Sequence, residues 1–321
     1  MIKKKGLNYA KFGYLFSIPF VVAYLLFSFY PVIYTFVIAF TDLTGTGKNQ
    51  ELHFLTGDIF ANFKSVLHND LFIKSFGNTV KLWVCNFIPQ MGLALLLTAW
   101  FTDRRSTIKG QGFFKVVFYL PNIITAATVA ILFGSLFAFP IGPVNDLRES
   151  LGAEKLDYFA KPAYAQAIVI FIQTWMWFGY TMITLISGVI GIDPSIYEAA
   201  EMDGANRVQT FFHITIPNIR TIMLFTLVTS LIGGLNMFDI PKLLVRQSGP
   251  DFATQTTSVF IQNRAFGQKP IRCEAAAASI LMFLLIVVCS AILFFIMRDK
   301  DAAAAKKLKK QAIKAAKAQG V

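Results

Sequence analysis

Residues 163–188 have the sequence AYAQAIVIFIQTWMWFGYTMITLISG and contain no charged side chain. A helix needs about 20 consecutive apolar residues to cross the hydrocarbon core of a bilayer. The apolar residues here are continuous rather than alternating, which favours a helix over a strand of a membrane barrel. A helix also pairs its backbone groups within its own segment, as a lipid environment requires. This stretch therefore predicts a membrane-spanning helix.

Apolar runs of similar length recur along the chain. The 321 residues are 55% hydrophobic and 15% charged, whereas soluble domains carry about 25% charged residues. The runs predict an all-α, polytopic membrane protein with six transmembrane helices in a domain at 14–297. The first run has no small-residue cleavage site, so we expect a retained span rather than a signal peptide. The predicted spans are residues 14–40, 79–101, 116–139, 163–188, 221–238 and 275–297.

The positions of Lys and Arg predict which side of the membrane each loop faces. One side holds residues 1–13, the loops after the second and fourth spans, and a basic tail at 298–321. This side carries 18 of the 30 Lys and Arg residues but only 7 of the 18 Asp and Glu residues. The positive-inside rule therefore places it, with both termini, in the cytoplasm. The net charge of +12 reflects this topology, so we expect the tail to contact anionic membrane lipid rather than nucleic acid.

Irregular structure is expected within the spans and in one long loop. Pro19, Pro31, Pro89 and Pro121 lie inside predicted spans, and proline removes a backbone donor and kinks a helix. Neighbouring helices can satisfy the backbone groups that a kink frees. Residues 41–78, between the first two spans, mix polar and apolar side chains and are expected to pack as short helices on the outer surface.

The sequence contains no motif for ATP binding or catalysis. The sequence GTGK at 45–48 lacks the first glycine and the final Ser or Thr of a phosphate-binding loop. The three His are scattered and the three Cys lack metal-binding spacing, so no catalytic residue, metal ligand or bound cofactor is predicted, and a membrane enzyme is disfavoured. The spans hold few ionisable groups that could form an ion relay. A transporter energised by another protein is favoured; an ion-coupled secondary transporter or a channel is the alternative, and ATP dependence distinguishes them.

A polar segment at 189–217 interrupts the apolar runs on the predicted cytoplasmic side. Asp193, followed by a proline, is typical of a helix N-cap. Gly204 is expected to end this helix, a second short helix to cover about 205–213, and Pro217 to mark entry into the fifth span. Small Ala side chains permit close approach, so the segment suits docking in a groove of another protein; packing against its own bundle is the alternative that these residues leave open. The expected apolar stripe of the first helix is Ile196, Ala199, Ala200 and Met202.

The spacing within this segment resembles the EAA motif of bacterial ABC importer permeases, EAA-x3-G-x9-I-x-L-P. The matching residues are Glu198-Ala199-Ala200, Gly204, Ile214 and Pro217, with Ile216 in place of the usual Leu. The stretch EAAEMDGA is most similar to carbohydrate permeases related to the maltose and glycerol-phosphate systems. YPVIYTFVIAFTD, YLPNIITAATVAILFGSLF and FDIPKLLVRQSGP resemble further family segments in family order, although a Ser replaces a Gly in the last.

The resemblance implies a division of labour among several proteins. Two homologous permease subunits, here expected to form a heterodimer, line the path in the bacterial cell membrane. A dimer of ATP-binding subunits uses ATP and Mg²⁺, and an extracytoplasmic sugar-binding protein delivers the substrate. Family members dock their EAA helices in the ATPase and alternate between inward-open and outward-open states. By this resemblance the ATPase-coupling residues are Glu198, Ala199, Ala200, Asp203, Gly204 and Ala205, with Ile214 and Pro217 completing the motif.

Two groups of polar and aromatic residues are candidates for the substrate path. Gln173, Trp177 and Tyr180 are spaced i, i+4, i+7 and share one face of the fourth span. Asn236 and Asp239 are spaced i, i+3 at the end of the fifth. A sugar site needs aromatic faces and hydrogen-bonding groups in an apolar wall, which these residues supply. Packing or interfacial aromatics and an interhelical hydrogen bond from the Asn are the alternatives.

Overall fold

The structure is a computed structural model that describes residues 10–44, 51–105, 108–245 and 248–297. The predicted tail at 298–321 and most of the predicted N-terminal segment lie outside these residues. The described ranges contain one short hairpin of strands, β1 (Thr41–Thr44) and β2 (Glu51–Phe54). Their α-helices are α1 (Ala10–Tyr24), α2 (Tyr30–Ile38), α3 (Ala61–Leu67), α4 (Asp70–Thr102), α5 (Gln111–Ile123), α6 (Ala126–Leu136), α7 (Pro143–Ser150), α8 (Pro162–Ile190), α9 (Pro194–Met202), α10 (Arg207–Gln209), α11 (Ile216–Asn218), α12 (Arg220–Leu235), α13 (Asp239–Leu244), α14 (Thr257–Phe266) and α15 (Arg272–Met297).

Helices long and apolar enough to cross a membrane occur at five places in the described part of the chain. They are Phe12–Ile38, Asp70–Thr102, Pro162–Ile190, Arg220–Leu244 and Arg272–Ile296. The remaining predicted span, 116–139, is a pair of helices, α5 and α6, that bend by 93° where they meet. The all-α, multi-span fold class is therefore confirmed, with up to six spans if the bent pair counts as one.

The bend between α5 and α6 does not lie at the proline that predicted a kink. Pro121 is buried within α5, and the chain leaves the helical conformation three residues later, at Ile124 (ψ 135°) and Thr125 (ψ 141°). The Thr125 hydroxyl accepts a hydrogen bond from the Thr128 backbone N–H at 3.3 Å. That bond satisfies an orphan donor at the start of α6, so the break is an N-capped helix start. The irregularity expected in the predicted 116–139 span therefore lies at a capped helix start and not at its proline.

The other spans differ from their predicted bounds mainly at their ends. The second helix begins at Asp70, nine residues before the predicted 79, and continues through Pro89 without a break. In the first span a π-helical turn at Leu25–Phe29 joins α1 to α2. The fifth span divides at residues 236–238 into α12 and α13. Apolar runs do not reveal these boundaries, because polar residues lie at the helix ends.

The chain forms two compact units, and the first comprises the described residues up to Ile73 together with Phe260–Phe283. Here β1 pairs antiparallel with β2, placing Thr41 opposite Phe54. The expectation of short helices across 41–78 was therefore only partly right, because strands precede α3. The Asn62 amide donates to the Ala39 and Thr41 carbonyl oxygens, both at 2.9 Å, and so anchors α3 to the first strand. The buried core of this unit includes Phe63, Val66, Phe72, Phe260 and Ala277.

The second unit comprises Lys74–Val259 and the described residues from Leu284. Helix α8 contributes to two buried clusters, one through Ile172 and the other through Met182. Between them, Gly179 lies so close to α5 that an added Cβ would come within 1.9 Å of the Phe118 carbonyl oxygen. The absence of a side chain lets the two backbones touch, which fixes α8 against α5.

Candidate functional site

A cavity of about 390 Å³ lies among α4, α8, α12 and the starts of α6 and α13. It is in the second unit, and all five residues predicted for the substrate path contribute to its wall. The i, i+4, i+7 spacing in α8 and the i, i+3 spacing across the α12–α13 break therefore bring both groups to one space. The predicted residues that line it are Gln173, Trp177, Tyr180, Asn236 and Asp239.

These side chains differ in how they face the cavity. Gln173 is buried, whereas Trp177 is 42% exposed and meets the Tyr180 ring edge to face, with centroids 6.1 Å apart. The Asn236 amide donates to the Ile232 carbonyl oxygen at 2.9 Å, which leaves its own oxygen as an acceptor. Asp239 is exposed in the first turn of α13. The wall thus presents an aromatic face next to amide and carboxylate oxygens.

Two buried amides of α4, Asn86 and Gln90, also line the cavity and were not predicted. The Gln90 amide donates to the Thr181 hydroxyl at 2.8 Å, and the Thr174 hydroxyl donates to the Asn86 side-chain oxygen at 3.1 Å. These bonds join α4 to α8 beside the cavity. The signal in the sequence was the i, i+4 spacing of Asn86 and Gln90 within an apolar run, because this spacing places both amides on one face of a helix.

Close packing between α4 and α12 forms another part of this wall. The Trp83 indole lies over Gly234, where an added Cβ would come within 1.9 Å of its Cδ1 atom. The indole N–H donates to the Ser230 hydroxyl at 3.4 Å. Gly234 and Ser230 both line the cavity, so an aromatic ring of α4 supports the α12 side of the site.

The electrostatic character of the cavity follows from its lining. Asp239 is its one acidic residue, and no Lys, Arg or His is found among the described residues that line it. The other polar groups are amides, hydroxyls and one indole. Such a wall suits a neutral, hydroxyl-rich ligand better than an anion. Within the described residues, no group of three or more His, Cys, Asp or Glu is placed to hold a metal ion.

The second candidate site is the coupling segment, residues 189–217. Asp193 caps α9 as predicted, since its carboxylate accepts from the Ser195 N–H at 2.9 Å. That backbone hydrogen bond, with a further one from the Ser195 side chain, lowers the pKa of Asp193 below its ordinary value. The carboxylate is therefore ionised at neutral pH, beside the positive end of the helix dipole.

The helix ends where the sequence predicted, at a glycine. Gly204 has φ +76°, its N–H donates to the Glu201 carbonyl oxygen at 3.1 Å, and the Ala205 N–H donates to the Ala200 carbonyl oxygen at 2.9 Å. This pair of bonds is the Schellman motif, which requires a left-handed residue at the position of Gly204. An added Cβ would meet no atom within 4 Å, so the glycine is needed for its conformation and not for space within this chain.

Exposure divides the predicted coupling residues into two sets. Ala200 is buried, and Ala205 and Ile214 are half-buried, so these three pack within the chain. Of the expected apolar stripe only Ala200 is buried; Ile196, Ala199 and Met202 are exposed, and Met202 is 89% exposed. This residue was not predicted as a contact, although an apolar side chain beside acidic residues was the available signal. The exposed motif residues are Glu198, Ala199, Asp203, Gly204 and Pro217.

The second half of the segment differs from the predicted single helix. Asn206 forms a capping box with Gln209, so α10 begins at Arg207 rather than Ala205. A π-helical turn at Thr210–Thr215 then leads into α11. Pro217 lies within α11 and does not begin the fifth span, because α12 starts only at Arg220. The side-chain oxygen of Asn206 caps the start of α10. Ala205 has no side-chain oxygen that could cap an earlier start.

Comparisons with known proteins identify the family of the chain. The family model described as the binding-protein-dependent transport system inner membrane component matches residues 79–300. The lactose transport system permease protein LacF of Rhizobium radiobacter is 31% identical over 262 residues, covering 80% of this chain and 84% of its own. The arabinooligosaccharides transport system permease protein AraP of Bacillus subtilis is 25% identical over 242 residues, covering 74% and 73%.

A solved structure supports the fold. The chain superposes on a chain of the bacterial alginate ABC transporter, solved in complex with an alginate pentasaccharide-bound periplasmic protein, with a TM-score of 0.77 at 23% identity. The match covers 92% of this chain and 96% of that one. The family model covers more than half of the sequence and includes the cavity and the coupling segment. The chain therefore belongs to the family of inner-membrane components of binding-protein-dependent transport systems, and is a multi-pass permease of the cell membrane.

Proposed function

We propose that this permease imports a neutral carbohydrate as one subunit of an ABC importer, with the cavity forming its part of the sugar path. The observation that carries the proposal is the lining of the cavity, which combines Gln173, Trp177 and Asn236 with the buried amides Asn86 and Gln90. The cavity volume of about 390 Å³ lies within the roughly 300–1,000 Å³ typical of ligand pockets. The relatives named for lactose and arabinooligosaccharides support a sugar as the substrate class.

The neutral character of the sugar follows from the charges of the wall. The one acidic side chain that lines the cavity would repel a uronate, and the described lining has no base to pair with it. The exposed Trp177 ring offers the apolar face on which a pyranose C–H surface packs. Amides and hydroxyls supply both donors and acceptors for sugar hydroxyls.

The proposal assigns energy and delivery to other proteins. A dimer of ATP-binding subunits, using ATP and Mg²⁺, binds the exposed surface of the coupling segment around Glu198, Ala199 and Met202. A second, homologous permease completes the path as a heterodimer, and the binding protein of the family delivers sugar from outside. This chain itself acts without a catalytic step or a bound cofactor. Alternating access then moves the sugar past the cavity.

A transport assay of the whole complex tests the sugar path. The complex is reconstituted in proteoliposomes with internal ATP, and uptake of labelled neutral oligosaccharides is measured with the binding protein outside. Joint replacement of Gln173, Trp177 and Asn236 by Ala should lower uptake at least tenfold or change the preferred sugar. Three lost contacts at about 0.5–1.5 kcal/mol each reach that factor.

The matched control for this experiment is Ser187→Ala. Ser187 is an exposed residue of the same helix whose hydroxyl donates to the Ile183 carbonyl oxygen at 2.9 Å, and the cavity lining does not include it. Its variant should transport as the wild type does. Normal uptake and preference in the triple variant would dismiss the assigned path, and uptake without ATP would overturn the ABC importer.

A further inference from the structure

Three consecutive residues at the end of α4, Asp103, Arg104 and Arg105, each contact a different part of the coupling segment. The guanidinium of Arg105 contacts the Glu201 carboxylate, with Nε and Oε1 3.1 Å apart. Asp103 contacts Arg207 at the start of α10, with Oδ2 and Nε 3.2 Å apart. All of these residues belong to the second unit. We call Asp103–Arg105 the α4 clamp.

Arg105 holds both sides of the turn at Gly204. Besides the Glu201 carboxylate, its Nη2 donates to the Ala205 carbonyl oxygen at 2.9 Å. One acceptor precedes the glycine and the other follows it. The rigid fork of a guanidinium can satisfy two such acceptors at once, whereas an ammonium is a single point charge. The side chain is only 35% exposed, so the contact is partly shielded from solvent.

Arg104 contacts the beginning of the same helix. Its Nη1 donates to the Pro194 carbonyl oxygen at 3.3 Å and lies 3.8 Å from the Glu198 Oε1 atom. Its Cζ atom is 5.9 Å from the centre of the Tyr197 ring. Arg104 and Arg105 therefore hold opposite ends of α9, while Asp103 holds the next helix. A single exposed ion pair contributes little, but contacts at three positions restrict rotation of the segment as well as translation.

The clamp is continuous with the cavity through one helix. Helix α4 runs unbroken from Asp70 to Thr102 and carries Asn86 and Gln90 in the cavity wall. Gln90 precedes Asp103 by 13 residues, which is about 20 Å along an α-helix. A displacement of α9 is thus passed to a stiff helix that, beside the cavity, accepts a hydrogen bond from Thr174 and donates one to Thr181.

We propose that the α4 clamp transmits movement of the coupling segment to the cavity wall, with Arg105 as its main positioning residue. This inference rests on the proposed ABC importer function, because the movement originates in a partner ATPase. The polypeptide chain connects the coupling segment directly to α8 and to α12, but not to α4. The clamp supplies that third connection and couples ATP-driven motion to Asn86 and Gln90.

Charge reversal in the reconstituted complex tests the clamp. Arg105→Glu should lower the number of sugar molecules transported per ATP hydrolysed by about five- to tenfold, the scale on which residues along a coupling path act. ATP hydrolysis and co-purification of the subunits should persist. The double variant Arg105→Glu/Glu201→Arg restores opposite charges and should recover most of the ratio. Arg105→Lys, which keeps the charge but lacks the fork, should give an intermediate ratio.

Lys109→Glu provides the matched control, since Lys109 is an exposed cation in the same loop and the structure records no contact between it and the coupling segment. It should transport at the wild-type ratio. A normal ratio in Arg105→Glu, or no recovery in the double variant, would overturn the clamp. If the complex with Arg105→Glu does not assemble, the Arg105→Lys complex is the test. A wild-type ratio of sugar to ATP in that variant would reject the clamp. Failure of the wild-type complex to transport sugar would instead reject the proposed function.

Discussion

Gly204 shows how a single residue in the coupling segment combines a local and an intermolecular requirement. Its φ of +76° lies in the left-handed region, where a side chain costs roughly 1–2 kcal/mol for most residues. Its missing Cβ faces open space within the chain. The structure therefore assigns the internal requirement to backbone conformation, and any demand for close approach belongs to the partner.

Replacement of Gly204 by Ala or Asn separates these requirements. Ala is small but disfavours the left-handed conformation, whereas Asn is larger and adopts it more readily. We expect Gly204→Ala to destabilise the permease by about 1 kcal/mol and Gly204→Asn by less, measured by thermal unfolding in detergent. An Asn variant that is at least as destabilised as the Ala variant would contradict the conformational explanation. The ATPase-coupling ratio of the Asn variant then reports whether the partner approaches closely.

The two alanines after Glu198 illustrate a distinction that the sequence alone does not make. The motif suggests equal roles, but Ala200 is buried and Ala199 is exposed. The helical rotation of 100° per residue separates them, and only the packing of α9 decides which one faces inward. The same packing turns Met202 outward. Motif spacing therefore predicted the segment and its turn, while tertiary contacts determined its accessible face.

At the scale of elements, the contact between α5 and α8 depends on Gly179. Gly179→Ala should destabilise the protein by about 2–3 kcal/mol, because the Cβ would overlap the Phe118 carbonyl oxygen and force the helices apart. Thermal unfolding of the purified permease measures this change. The matched control is Gly112→Ala in α5, where a Cβ meets nothing within 4 Å. That variant should be neutral or slightly stabilising, by up to about 1 kcal/mol. Equal effects of the two substitutions would contradict the backbone-contact argument.

Elements were predictable from the sequence where one local pattern determines them. Continuous apolar runs located five spanning helices, since burial in lipid needs no particular partner. The break at Ile124 was not predicted because a Thr cap without a glycine or proline is a weak signal. The hairpin of β1 and β2 was missed because four-residue strands give too short an alternation to recognise.

The candidate site shows a similar division. Helical spacing placed Gln173, Trp177 and Tyr180 on one face, and they do share the cavity wall. That Asn236 and Asp239 join the same wall depends on the break between α12 and α13, which spacing alone does not give. Asn86 and Gln90 were not predicted because Pro89 between them predicts a kink, whereas α4 continues through it without a break.

At the scale of the whole molecule, two helices connect the cavity with the coupling segment in different ways. Helix α8 carries Gln173 and Tyr180 and is followed directly by the linker to α9. Helix α4 carries Asn86 and Gln90, and the residues after its end contact the segment through ion pairs and hydrogen bonds. A covalent connection to α8 and a non-covalent connection to α4 would let rotation of the segment shift these two neighbouring helices relative to each other beside the cavity.

The bent pair α5–α6 decides the topology of everything that follows it. If the pair crosses the membrane, the loops before and after it lie on opposite sides; if it re-enters, both loops share a side. The charge distribution favours crossing. The positive-inside rule puts Arg104, Arg105 and the coupling segment in the cytoplasm, and the chain can place all of them there only if it has six spans. Single cysteines on the two flanks of the pair distinguish these topologies.

We expect cysteines at Lys109 and Ile141 to react on opposite sides of the membrane. Both positions are exposed, and the three native cysteines, Cys85, Cys273 and Cys289, are first replaced by Ser. A membrane-impermeant maleimide should label Ile141→Cys in right-side-out vesicles and Lys109→Cys in inverted vesicles, while a permeant maleimide labels both in either preparation. Labelling of both sites in the same vesicles by the impermeant reagent would make α5–α6 a re-entrant pair. The coupling segment would then lie outside, away from any source of ATP, so this outcome would also remove the basis of the coupling argument.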